Sequence, residues 1–389
     1  MRKSALFWFG LVVAFIVALG LIVLSSAGEA NSIRLHHGDA YYFMRRQFEY
    51  CGIGVLLCIG VALFDYRRWR NMPALTVLFF AVVFVLLLCV FGFKAINGSH
   101  RWISLGPVRL QPSEFAKIVT VIATAAWLDR SGWRVETFLR GALWPSVFIG
   151  VLALPVMLEP DFGSTMVIGF AGFLMMVLAG TRILHLLPFL SIGIAAFVYK
   201  VVTNANRMAR LVSFFGVKLD VGPEVLDAAS RRAAHQAEQA LAAIGNSDIW
   251  GAGLGQSMQK HLYLPEAHTD FIFAVGAEEL GIVFSVFTVL LFSAFFALSV
   301  YIARKATDRF GRYLVIGMAF IIYFQAMFNV GVICKALPTK GMALPFFSYG
   351  GTNLLSAFFA VGTILSVGIH TYRDSKWKKG VLARSRLRH

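Results

Sequence analysis

Ten stretches of this chain, each 17 to 32 residues long, are apolar and poor in charge: 5–26, 47–64, 73–93, 112–128, 139–158, 163–180, 183–201, 270–301, 312–334 and 352–370. About 20 apolar residues in a helix cross the hydrocarbon core of a bilayer. Within lipid every backbone N–H and C=O must be paired inside the protein, which for runs of this length means helices. The expected fold class is therefore all-α, a polytopic membrane protein with ten transmembrane helices and a long extracytoplasmic loop between helices 7 and 8. A composition 58% apolar, with mean hydropathy +0.71, excludes an ordinary soluble globule. The first run follows Arg2 and Lys3, is too long for a signal-peptide core and lacks a convincing cleavage site, so it reads as the first span.

Lys and Arg counts orient the chain. With the N-terminus inside, the inner segments hold 20 of these residues and the outer segments 14, with Lys117 and Lys200 inside spans. The short inner loops are the dense ones, so both termini are expected to be cytoplasmic. Residues 371–389 then form a basic cytoplasmic tail. The net charge of +16 fits this bias and attraction to anionic membrane lipids, and no nucleic-acid motif accompanies it. Four cysteines (51, 58, 89 and 334) show no metal or redox spacing and read as packing residues.

The outer loops carry cations against this bias. The segment 202–269 is too long for an unstructured connection. Pro223 precedes an Ala-rich helical pattern at 224–245 with a weak apolar side, suited to the membrane surface or a groove. A Gly-rich stretch at 249–260 follows and reads as a flexible hinge rather than a phosphate-holding turn. No internal repeat is visible, which disfavours an inverted-repeat transporter.

Chemistry concentrates at span ends. In LYLPEAHTDFIFAVGAEELG (262–281) a polar loop turns into a helix near Thr269 and continues apolar to Val300. His268, Thr269 and Asp270 then sit where water meets lipid, with Glu278 and Glu279 about 12 Å deeper. Carboxylates at such depth face a polar interior and suggest a site handling protons or cations. Asp270 is either an acidic first-turn residue favoured by the helix dipole or a general base at the rim. Glu266, His268 and Asp270 could also supply three metal ligands, but at no standard spacing.

Glu114 and Lys117 lie three apart after Pro112 and can pair on one helix face. Arg101 and Arg109 flank Trp102, and an arginine fork matches phosphate oxygens. Asp161 is a helix cap or a site residue. Lys340 and the turn Ser348-Tyr349-Gly350-Gly351 close the list, the turn offering N–H groups to an anion.

Four blocks together are diagnostic: KAINGSHRWISLGPVRLQPSEFAK, LEPDFGSTMVI, GAGLGQSMQKHLYLPEAHTDFIFAVGAEELG and LPTKGMALPFFSYGGTNLL. From about Lys94 to Gly368 they resemble, in the same order, the shape, elongation, division and sporulation (SEDS) family of FtsW, RodA and SpoVE. Pro338-Thr339-Lys340-Gly341 and Leu264-Pro265-Glu266-Ala267-His268 look more like the division branch than the elongation branch. At 352–353, Thr and Asn replace the small residues common in the family.

The resemblance implies a single membrane domain over 1–389 that acts as a peptidoglycan glycosyltransferase. Lipid II, an undecaprenyl-pyrophosphate disaccharide-pentapeptide, would be polymerised into β-1,4 glycan on the outer face, for septal wall synthesis. Asp270, matching the family's essential aspartate, would be the base. Arg101, Arg109, Lys117 and Lys340 would face the phosphates, Glu114 would hold Lys117, and Asp161, His268 and Ser348 would complete the substrate site. No cofactor is required, and a divalent cation (Mg or Mn) could assist. The chain carries no transpeptidase motif, so a class B penicillin-binding protein of the FtsI kind is the expected partner, alongside the division proteins FtsQ, FtsL and FtsB. The alternatives are a RodA-like elongation polymerase, a lipid II flippase with Glu278, Glu279, Glu114 and Lys117 lining a path, or a scaffold of the division complex.

Overall fold

The computed structural model describes residues 3–35, 38–94, 99–106, 108–203, 208, 214, 238–245, 248–258, 267–338 and 341–386. It begins with α1 (Lys3–Ala27), a short α2 (Glu29–Leu35), α3 (Tyr42–Leu63), a short α4 (Arg67–Asn71) and α5 (Pro73–Cys89). A hairpin of β1 (Ile103–Leu105) and β2 (Val108–Leu110) leads into α6 (Pro112–Ser131). A 3-10 segment (Gly132–Glu136) and a π-helical turn (Phe138–Leu143) precede α7 (Trp144–Leu158), α8 (Phe162–Ala179) and α9 (Ile183–Val202). After 202–269 come α10 (Ile272–Lys305), α11 (Arg309–Ile333) and α12 (Gly351–Arg386).

Each of the ten apolar runs falls on one of these helices. Prolines stand in the first turn of α5, α6 and α7, where a missing N–H costs nothing. Asp161 caps α8 by accepting from Ser164 N, and Gly180 in the left-handed region closes it. Nine helices among the described residues are long and apolar enough to cross a membrane. α6 is not one of them. Glu114, Lys117, Asp129 and Arg130 interrupt its apolar character, and protein surrounds it on nearly every side. At about 30 Å it is nonetheless as long as a bilayer core is thick.

The main core joins α1, α6, α8, α10, α11 and α12, and a smaller one joins α5, α6, α7 and α8. α9 stands at the periphery, with only Leu186 and Val201 buried.

Two features depart from the sequence expectation. The loop before α6 is a two-stranded antiparallel ribbon, pairing Ile103 with Leu110 and Ser104 with Arg109. The helix expected to run unbroken from Thr269 to Val300 begins at Ile272 and breaks at Gly281, whose φ is 77°.

That break shows why the described part of the Gly-rich stretch, 249–258, is not a loose hinge. A helix interruption orphans carbonyls on one side and N–H groups on the other. Here the Gly-rich loop satisfies both. Ala252 N and Gly253 N donate to Glu278 O and Glu279 O, at 3.0 and 2.9 Å, while Ile282 N and Val283 N donate to Asp248 O and Ile249 O, at 3.3 and 3.4 Å. The two backbones come so close that a Cβ on Gly281 would collide with Ile249 O, and one on Gly251 with Glu279 O. Of the Ala-rich pattern 224–245, only 238–245 lies within the described residues, and it is helical.

Candidate functional site

Described residues of the four diagnostic blocks meet at one end of the bundle. Asp270 sits in the turn preceding α10, partly buried. Its backbone is fixed by Asn329 of α11, whose Nδ2 donates to Asp270 O at 2.8 Å and to Met342 O at 2.6 Å. This one amide binds the Asp270 turn to the segment after Lys340. The Asp270 carboxylate lies against Gly341, where a Cβ would collide with Oδ2.

Ser348 ties the same two segments. Its Oγ donates to Thr269 O at 2.5 Å and accepts from Leu344 N at 2.7 Å. Gln47 of α3, fully buried, clamps the glycine turn from below. Its Nε2 donates to Ser348 O at 3.1 Å and its Oε1 accepts from Gly350 N at 3.3 Å. Ser348 therefore serves as a brace between backbones. His268 is a pillar: its ring stacks on Phe43 with centroids 4.4 Å apart, its Nδ1 lies 3.2 Å from Asn31 Nδ2, and its carbonyl accepts from Tyr349 N at 2.9 Å.

Glu114 and Lys117 make the pair their spacing suggests, 2.7 Å apart and both buried. Ser356 of α12 donates to the other Glu114 oxygen at 2.9 Å. A charge pair at such burial needs further hydrogen bonds to offset its desolvation, and Ser356 supplies one to Glu114. The Lys117 ammonium thus faces Glu114 rather than an open surface.

Asp161 joins three elements. Beyond capping α8, its Oδ2 accepts from Gln111 Nε2 and Ser113 Oγ, each at 3.2 Å. Gln111 N donates to Thr352 Oγ1, which donates to Arg109 O. Polar contacts thus run from the hairpin through the start of α6 to the turn before α8 and the start of α12. Arg101 locks the hairpin to that turn, its guanidinium donating to Glu159 O at 3.4 Å and Pro160 O at 2.6 Å. Arg109 is exposed, with no acidic partner among the described residues. Burial pushes the Tyr349 phenol up to about 12, and nearby Arg46 and Arg109 pull the other way.

Glu159 was not singled out in the sequence. It is fully buried beside Asp161, and neither carboxylate oxygen has a hydrogen-bond partner among the described residues. Burial first, and Asp161 second, push its carboxyl up to about 8, against the pull of Arg101. Gln47, Asn329, Thr352 and Ser356 were missed too. Their only signal is a lone amide or hydroxyl in or beside an apolar run. Lys340 and Glu266 lie outside the described residues, and among the described residues no three potential ligands gather as a metal site would need.

Glu278 and Glu279 do not line an open path. Glu278 accepts from Ser257 Oγ and, at 3.1 Å, from Met258 N. Glu279 accepts from Ser26 Oγ at 2.6 Å and Ser257 N at 3.3 Å. They anchor the Gly-rich loop in the helix break.

Comparison with known proteins covers nearly the whole chain. The FtsW/RodA/SpoVE family, described as cell cycle proteins, matches residues 6–373. The "Probable peptidoglycan glycosyltransferase FtsW" of Coxiella burnetii is 34% identical, over 94% of this chain and 96% of the relative. The protein so named in Thioalkalivibrio sulfidiphilus is 37% identical, over 95% and 91%. Among solved structures, Thermus thermophilus rod shape determining protein RodA superposes with a TM-score of 0.68 at 26% identity, over 94% and 97% of the two chains. A chain from the structure described as "Structural coordination of polymerization and crosslinking by a peptidoglycan synthase complex" superposes at 0.70 with 25% identity, over 94% and 98%.

Proposed function

This chain belongs to the FtsW/RodA/SpoVE family and is an integral membrane peptidoglycan glycosyltransferase of the FtsW kind, and from that premise we propose that it polymerises lipid II with Asp270 as general base. The growing glycan is the donor, its lipid pyrophosphate the leaving group, and the 4-hydroxyl of the next lipid II the acceptor. An inverting displacement needs a base at that hydroxyl and positive charge at the departing phosphates.

The observation that carries this reading is the double donation from Asn329, which sets the Asp270 turn against the segment after Lys340. With the Asp270 carboxylate lying against Gly341, this supports Asp270 as the acid of the site. Arg109, exposed on the hairpin, and Lys340 would meet the pyrophosphate. Arg101, bound to two carbonyls, positions the hairpin, and the Glu114–Lys117 pair stiffens the floor. Asp161, His268 and Ser348 hold the walls. A divalent cation would add charge at the leaving group without replacing the base.

The active end faces outward, both termini are cytoplasmic, and the enzyme works at the division septum. A penicillin-binding protein supplies crosslinking, and FtsQ, FtsL and FtsB are further neighbours. The relative described as a synthase complex supports the pairing of polymerisation with crosslinking.

The test is purified protein in bilayers with lipid II. Asp270→Asn and Asp270→Ala should reduce glycan product at least 10²-fold, the order expected for loss of a general base, with melting and insertion unchanged. Near-parental product from either variant excludes Asp270 as the base.

A further inference from the structure

A cavity of about 420 Å³ opens at the end of the bundle opposite Asp270. The 3-10 segment that follows α6, the end of α8 and the first two turns of α11 surround it. Arg309 and Arg312 stand on one side, Leu178 and Ile316 supply apolar wall, and Trp133 lies at the lip, 76% exposed. The volume is within the range of sites that hold small ligands.

The charges around it are unevenly matched. Glu136, which also lines the cavity, is engaged by Arg182 at 3.2 Å. Asp129 and Asp308 both face Arg70, at 3.4 and 3.7 Å. Asp308 also accepts from Tyr66 Oη at 2.5 Å and caps α11 through Gly311 N. Arg309 and Arg312 have no acid within ion-pair distance among the described residues. Two guanidinium groups beside an apolar wall, with an exposed tryptophan that also lines the cavity, match a ligand with an anionic head and a hydrocarbon body.

We propose that this cavity binds the phosphate headgroup of an acidic phospholipid, with Arg309 and Arg312 on the phosphate and Leu178 and Ile316 against the first acyl carbons. The site is remote from the polymerising end and concerns the lipid around the enzyme, not its substrate.

The experiment is native mass spectrometry of the full-length protein in mild detergent, titrated with phosphatidylglycerol or phosphatidylcholine. The parent should retain phosphatidylglycerol about tenfold more strongly, as a charge-assisted contact predicts. Arg309→Ala with Arg312→Ala should erase that preference. Arg309→Lys with Arg312→Lys should keep most of it. Arg373→Ala, at the same end but outside the cavity, should leave it unchanged. Both arginines of the cavity are exposed, so melting temperatures should stay at the parental value. A second readout is quenching by brominated phosphatidylglycerol, of which Trp133→Phe should remove a component. Equal retention of the two lipids overturns the proposal, as does full retention by the double alanine variant or an equal loss from Arg373→Ala. Displacement of the lipid by millimolar inorganic phosphate also overturns it, by marking a site for a free anion.

Discussion

The Asp270 carboxylate and Gly341 are so close that a single methyl decides whether both can keep their places. Gly341→Ala would put a Cβ into Oδ2 and force the carboxylate aside, while leaving every helix untouched. Displacing a reacting group by about 1 Å costs on the order of 10²-fold in rate. The expected result is a loss of that size in kcat for lipid II polymerisation, with thermal stability within a few degrees of the parent. Glu159 makes a second prediction at this scale. Its folded pKa of about 8 lies above the value of 4.5 for an unburied carboxyl. A raised acid pKa contributes stability that is complete below about 4.5 and is lost as pH climbs through about 8. Melting temperature should therefore fall between about pH 4.5 and about pH 8, by an amount governed by about 1.4 kcal/mol per unit of difference. Glu159→Gln should flatten that slope. An equally steep slope in the glutamine variant would show that another group is responsible. None of this was visible from residue type: Asp161, two positions away, looked the more chemical of the two.

α10 teaches a different lesson. Its apolar run reads as one continuous helix, and hydropathy cannot register an interruption that preserves apolar character. The interruption is possible because a loop distant in sequence fills it, pairing the backbone groups that a break inside a membrane protein would leave bare. Gly281→Ala and Gly251→Ala should each destabilise strongly, through backbone collision and a φ that alanine resists. Glu278→Gln should be milder than Glu278→Ala, because the amide oxygen still accepts from Met258 N or Ser257 Oγ. Thermal melting of the four variants in detergent tests this ranking, and an alanine at 281 as stable as the parent would contradict it. The pairing of Glu114 with Lys117 was readable at this scale, because three residues on a helix is a fixed geometry. Ser356, which completes it, was not.

For the whole molecule, the bias of Lys and Arg leads to the proposal that the end bearing Arg67, Arg309 and Arg373 lies inside and the Asp270 end outside. In a cysteine-free background, Gly38→Cys should react with a membrane-impermeant maleimide on spheroplasts, and Ser375→Cys only after the membrane is opened. The reverse pattern would invert the orientation. Spans, charge asymmetry and the order of the four blocks are properties of the chain as written, because lipid solvation acts on local composition and a helix satisfies its own backbone. Those features determined the helical membrane class and the family. Which lone polar residues meet was decided only by folding. Asn329 reaches both Asp270 and Met342, Gln47 clamps a turn some 300 positions away, and Glu159 is buried beside Asp161. Each such contact depends on the distance between segments far apart in sequence, and only packing sets that distance.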